Sequence, residues 1–339
     1  MKIRPRGHGF NRHHSRRRML QTGIGGGLLL ASPFAVQAQG DNTRGDETDQ
    51  TPDAAVEETE ATEAPAEAPV STPAANVDTS GVTGGLFPDN RVLLYYGFPE
   101  NPNMGILGEY EKEELLELLR EQAAEYEAAD PSKPVILGIE LIASVAQGSP
   151  GPEELWIADT GGDFLTEYVE FTAANNMVLF LDVQMGFKEP YEDYIGLERW
   201  MIEPHVHLGI DPEFHMRGDE QPGIDIGQVT AEEVIEAQNY LAQLSAVNNL
   251  PRKSLIVHQF HHTMIEEKEK IVPMEGVDLI IDMDGFGSPE MKEETYAVVN
   301  TNEPIEYNGI KLFYKQDEPL MTAAEVLALD PSPDLIIYQ

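Results

Sequence analysis

Asp211 and Glu213 stand on either side of Pro212 in the segment Gly209-Ile210-Asp211-Pro212-Glu213-Phe214-His215. On an extended strand alternate residues share a face, which would bring both carboxyls to one side with Cα atoms ~6.6 Å apart. Two carboxylates that close cannot both ionise freely, so one keeps its proton near neutrality. A protonated carboxyl beside an ionised one suits general acid–base hydrolysis. Glu213, with the longer reach, is the expected acid. Asp211 is expected to orient it or to steady positive charge on the substrate, and Asp182, or else Asp282, to supply the second catalytic carboxylate.

Other polar residues close short apolar runs in the same manner. They are Tyr96, Glu140, Gln184, His258 with Gln259, Asp282 with Asp284, Lys315, and Tyr338. With His215 beside Glu213, they are the expected substrate-binding lining of a polar, ligand-sized pocket. A buried carboxylate costs several kcal/mol unless it is paired. Acids recurring at the ends of several apolar runs therefore point to a site.

The histidines offer a second chemistry. Six of the nine lie between residues 205 and 262. His215, His258, His261 and His262, with Asp211 or Glu213, form an alternative His/carboxylate set for zinc or manganese, which would activate a water. The acid–base reading requires no metal ligand and no cofactor, and it is the one favoured here. There is no Gly-x-Ser-x-Gly elbow. With no Cys, thiol nucleophiles, zinc-thiolate centres and disulfides are excluded.

The elements that must hold these residues alternate. Apolar runs at 91–96, 135–141, 178–183, 206–211, 254–259, 277–282, 311–314 and 335–338 predict eight strands. Helical patterns fall between them at 112–129, 164–175, 191–201, 231–248, 263–270, 289–299 and 322–328. Thr230 before Ala231-Glu232-Glu233, Ser288 before Pro289, and Thr322 before Ala323-Ala324-Glu325 are helix starts. Strictly alternating strands and helices predict a parallel sheet, and eight units over residues 86–339 match a (β/α)₈ TIM-type barrel. A doubly wound sheet is the rival. Its Gly-rich phosphate turn has no counterpart in Tyr96-Gly97-Phe98-Pro99 after the first strand. In a barrel the chemistry gathers at the C-terminal strand ends, where the polar residues above fall.

A barrel with Asp-x-Glu ending its fourth strand resembles the chitinase-like and muramidase-like glycoside hydrolases, in which the Glu is the acid. The Asp-Pro-Glu-Phe-His and His-Gln-Phe segments are also similar to exported bacterial barrel proteins of unassigned activity. The resemblance implies a carbohydrate, or another small polar ligand, as the partner.

Residues 1–38 are expected to be an export signal. They hold seven basic and no acidic residues, then the short apolar run 23–31 and a Val36-Gln37-Ala38 step. Ser15-Arg16-Arg17-Arg18-Met19-Leu20 fits the twin-arginine type, which makes the twin-arginine translocase a partner during export. The expected destination is outside the cytoplasmic membrane: secreted, periplasmic or held at the cell envelope. Residues 39–85, rich in Ala, Pro, Thr and Glu, are expected to form a disordered acidic linker. The chain carries 60 acidic against 22 basic residues, a net charge of −38, which argues against nucleic acid as a partner.

Overall fold

The structure is a computed structural model and describes residues 82–99, 101–151 and 153–339. The expected signal at 1–38, and residues 39–81 of the expected linker, lie outside the described residues. Eight parallel strands close into a barrel: β1 (Arg91–Gly97), β2 (Val135–Ala146), β3 (Val178–Val183), β4 (Val206–Ile210), β5 (Lys253–Gln259), β6 (Val277–Met283), β7 (Tyr307–Leu312) and β8 (Leu335–Tyr338). Each pairs in parallel with the next, and β1 pairs with both β2 and β8, so the eight-stranded barrel is closed, while the short strand Ile157–Asp159 pairs antiparallel with the end of β2. The chain is a (β/α)₈ barrel, as the alternation of elements predicts.

The outer layer comprises α1 (Lys112–Ala129), α2 (Gly162–Ala174), α3 (Pro190–Ile195), α4 (Glu198–Met201), α5 (Ala231–Asn248), α6 (Pro289–Tyr296) and α7 (Ala323–Leu327). On α1, Leu115, Leu116, Leu119, Ala123 and Tyr126 make one buried stripe. They meet the outward residues of the strands, such as Leu93, Leu141, Leu181 and Tyr338, in the larger of two apolar cores. Thr230 and Thr322 both close capping boxes, with Glu233 and Glu325 reaching back to the cap amides. Ser288 caps α6, with Pro289 at its first position.

Several elements differ from expectation, β2 by running on to Ala146 and α6 by giving way to a π-helical turn at Ala297–Thr301. Residues 191–201 form two short helices, α3 and α4, separated at Gly196 and Leu197. Residues 263–270 form no α-helix but two 3₁₀ turns around the short strand Ile265–Glu266, which pairs with Val229–Thr230. Lys268 in this segment is buried, its Nζ donating to Gln259 Oε1 and to the Val299 carbonyl, so polar anchoring replaces a helical stripe. Strand β7 begins at Tyr307 rather than 311.

The barrel interior is a second apolar core, with Val92, Leu94, Val178, Phe180, Ile256, Ile280, Leu335 and Ile337 facing inward. Phe87 stacks on Tyr307 with ring centroids 4.8 Å apart and closes the N-terminal end. Beneath it Arg252 pairs with the buried Asp278 at 2.8 Å. Glycines at inward positions make room: a Cβ on Gly138 would stand 2.5 Å from Leu94 Cδ2.

Candidate functional site

Counting by two along each strand from the apolar interior leads, at the C-terminal end, to a polar layer. Tyr96 follows Leu94 on β1, Glu140 follows Gly138 on β2, and Asp182 follows Phe180 on β3. On β5 His258 follows Ile256, and on β6 Asp282 follows Ile280. Lys311 follows Gly309 on β7, and Asp211 stands two beyond Gly209 at the end of β4. Seven consecutive strands thus each send one polar side chain toward the same place.

His258 is the hub. Its Nδ1 lies 3.0 Å from Asp282 Oδ2 and 3.5 Å from Asp284 Oδ2. Its Nε2 lies 3.0 Å from Glu140 Oε1 and 3.9 Å from Asp182 Oδ1. The Tyr96 hydroxyl donates to Asp182 Oδ2 at 3.2 Å, and Gln184 Nε2 donates to that hydroxyl at 3.4 Å. Lys311 Nζ donates to Asp284 Oδ2 at 3.1 Å and sits 3.4 Å above the centre of the Tyr96 ring, a cation–π contact. Glu140, Asp182, His258 and Asp282 are all 0% exposed. Glu140 Oε2, Asp182 Oδ1, Asp282 Oδ1 and Asp284 Oδ1 have no hydrogen-bond partner among the described residues. Five carboxyls face two basic groups here, so the cluster is anionic unless it takes up protons or a cation.

Burial and crowding shift Asp182 and Asp211 toward their neutral forms. Burial, then the neighbouring Glu140, outweighs His258 and pushes Asp182 up to about 7. Burial, then Asp182, raises Asp211 well above the usual carboxylate range. For His258 burial opposes charge, but Glu140 and the Asp282 hydrogen bond outweigh it and favour the imidazolium. Lys311 is likewise held as a cation against its burial, chiefly by Asp284.

Several expected residues take other places. The strand reading of Asp211 and Glu213 gives way to a cap: β4 ends at Ile210, and Pro212–Phe214 is a 3₁₀ turn. Pro212 stops the strand, since it has no amide to continue the ladder. Asp211 Oδ1 instead accepts the Glu213 amide at 3.3 Å, with Asp211 buried and Glu213 half-buried. Gln259 and Tyr338 are one residue past the inward His258 and Ile337, so they face the helices. Gln259 bonds Lys268 there, and the Tyr338 hydroxyl lies 2.9 Å from that of Tyr126. Lys315 falls beyond β7 on the surface, bonded to Glu109 and the Pro102 carbonyl. His215 is buried with Nδ1 2.8 Å from the Gln228 carbonyl, outside the His258 cluster.

The alternative histidine set does not assemble either. His261 and His262 are exposed, with ring centroids 4.3 Å apart, and only His258 enters the acidic layer. Among the described residues, the set able to hold a metal is Glu140, Asp182 and His258, whose ligand atoms lie within 4.8 Å of one another. Sequence reasoning missed Lys311. Its signal was the pattern Asn308-Gly309-Ile310-Lys311-Leu312, which keeps Lys311 in phase with Gly309 once Gly309 is allowed inside a strand. Trp156, on the loop after β2, packs against Phe187 at 6.4 Å.

No family model and no curated protein matches the chain. Among solved structures it is similar to a mannanase from Bacillus subtilis at 8% identity, covering 74% of this chain and 80% of that one, with a TM-score of 0.35. A likeness this loose says nothing about chemistry.

Proposed function

We propose that the chain is an exported hydrolase that acts on cell-envelope or extracellular carbohydrate by carboxylate acid–base chemistry at the C-terminal mouth of the barrel. The observation that carries this reading is the convergence of one polar side chain from each of seven consecutive strands on a single layer. A fold needs no such layer for stability, because each buried carboxyl opposes folding. Glu213 is the proposed acid. Half-buried just beyond β4, it is more accessible than the carboxyls beneath it. Asp211 positions it by accepting its amide, and Asp182 is the second carboxylate. Tyr96, Gln184, Asp282, Asp284 and Lys311 hold these groups and line the approach. The basic residues and apolar run of 1–38 support export by the twin-arginine route.

The test is a screen of the purified full chain against peptidoglycan and common polysaccharides, followed by Glu213→Gln. Loss of an acid of this kind lowers turnover about 10²–10⁴-fold while polymer binding persists. If the wild type neither binds nor cuts any polymer, the carbohydrate reading fails. Binding without turnover in the wild type would make the barrel a glycan-binding module. Export is tested by a reporter fused to residues 1–38, which Lys in place of Arg16, Arg17 and Arg18 should retain in the cytoplasm.

A further inference from the structure

We propose that Glu140, Asp182 and His258 bind one divalent transition-metal ion of the manganese or zinc class. Three independent features of the barrel carry this.

The first is the orientation of His258. Asp282 Oδ2 lies 3.0 Å from Nδ1, and a carboxylate acceptor there favours a proton on that nitrogen. With that proton in place, Nε2 is the atom left to ligate once it gives up the proton it shares with Glu140, and ligating histidines usually have such a carboxylate behind them. Nε2 points at Glu140 Oε1, 3.0 Å away, and Asp182 Oδ1, 3.9 Å away. Two ligands each ~2.1 Å from one ion stand roughly 3 to 4 Å apart, so these separations suit a shared centre.

The second feature is the unmet demand of the carboxylates. Asp182 Oδ1 and Glu140 Oε2 are buried without a hydrogen-bond partner among the described residues, in side chains that are 0% exposed. Buried oxygens in that condition are costly, and a cation would satisfy them.

The third is Gly209, the inward residue of β4. A Cβ there would stand 2.9 Å from Glu140 Oε1 and 3.0 Å from Asp182 Oδ1. The strand is thus stripped of its side chain at the point where the two carboxylates converge. One nitrogen with carboxylate oxygens suits manganese or zinc better than a soft metal.

The site adjoins the proposed acid, and this inference rests on the hydrolase reading only for what the ion is used for. An ion here would make Asp182 a ligand instead of the second catalytic carboxylate, and it leaves Glu213 and Asp211 in their proposed roles. Binding is therefore measured without turnover.

The full chain is freed of metal by chelator dialysis and titrated with MnCl₂ or ZnCl₂ by calorimetry, with the paramagnetic resonance of Mn²⁺ as a second readout. One ion per chain is expected. His258→Gln and Asp182→Asn should abolish that stoichiometric event, and Asp282→Asn should weaken it about 10–100-fold. Gly209→Ala, which adds only a methyl group beside the two carboxylates, should weaken it as well. Circular dichroism identifies variants that keep their fold, and only those are compared. No stoichiometric binding of either ion would overturn the proposal and leave the imidazolium of His258 as the counter-charge. Binding unchanged in folded His258→Gln and Asp182→Asn would also overturn it, because the ion would then sit on the acidic surface. Glu213→Gln should bind the ion as the wild type does, so failure of the carbohydrate assay and failure of this one are separable.

Discussion

Gly309 on β7 is the register partner of Asp282 on β6, and a Cβ at position 309 would stand 2.6 Å from Asp282 Oδ1. The glycine is therefore the space into which the buried carboxylate beside His258 fits. Gly309→Ala forces that carboxylate or the strand to shift. Overpacking of this kind costs about 1–3 kcal/mol. Urea denaturation should show a lower midpoint with an unchanged slope, and a variant as stable as the wild type would mean that Asp282 has room to move.

Lys311 offsets the five carboxyls around His258 from a side chain that is 2% exposed. Lys311→Met keeps the length and apolar stem but removes the charge. Breaking a buried ion pair from one side costs about 3–5 kcal/mol. The loss should appear as a large fall in unfolding free energy at neutral pH, and a change within about 0.5 kcal/mol would show that water reaches the cluster freely.

Lys253 opens β5 at the opposite end, with Nζ donating to the carbonyls of Glu203 and Val206 at 2.6 and 2.9 Å. Burial pulls this ammonium down to about 7, against a reference near 10.4 in the unfolded chain. Between those values the unfolded state binds more protons, so this residue makes stability rise with pH. From pH 7 to 9.5 the wild type should gain stability relative to Lys253→Met. Parallel curves for the two proteins would show that the ammonium stays charged in the fold.

An excess of 38 negative charges repels itself in dilute buffer, and the repulsion is screened within about 3 Å at molar salt. The melting temperature should therefore rise across a salt series from 0.05 M to molar NaCl. A flat or falling midpoint would show that the acidity serves solubility alone.

Much of the barrel was legible because strands and helices alternate with sharp punctuation, and Thr230, Ser288 and Thr322 mark their helix starts by side-chain chemistry that acts locally. Most of the acidic layer was legible for a related reason. Once Leu94, Phe180, Ile256 and Ile280 set the inward phase, Tyr96, Asp182, His258 and Asp282 follow by twos. The errors arose where that phase was uncertain. A one-residue offset turns Gln259 and Tyr338 away from the interior. The apolar run alone places the start of β7 after Gly309, which puts Lys311 at the strand's beginning and Lys315 at its end. Glycine is a poor strand former by propensity, and only the nearby Asp282 explains its presence. The pairing of His258 with Glu140 joins residues 118 positions apart, a relationship that no local pattern encodes.

Phe87 and Tyr307 shut one end of the cylinder, and the aliphatic filling above them leaves no passage through the middle. The interior is a blind well rather than a tunnel. Whatever reaches the buried His258 must come and go from the C-terminal ends of the strands, the end at which Glu213 lies. Reactant and product would then compete for one doorway, and a bulky adduct fixed at that rim would silence the whole interior without touching any residue at its base.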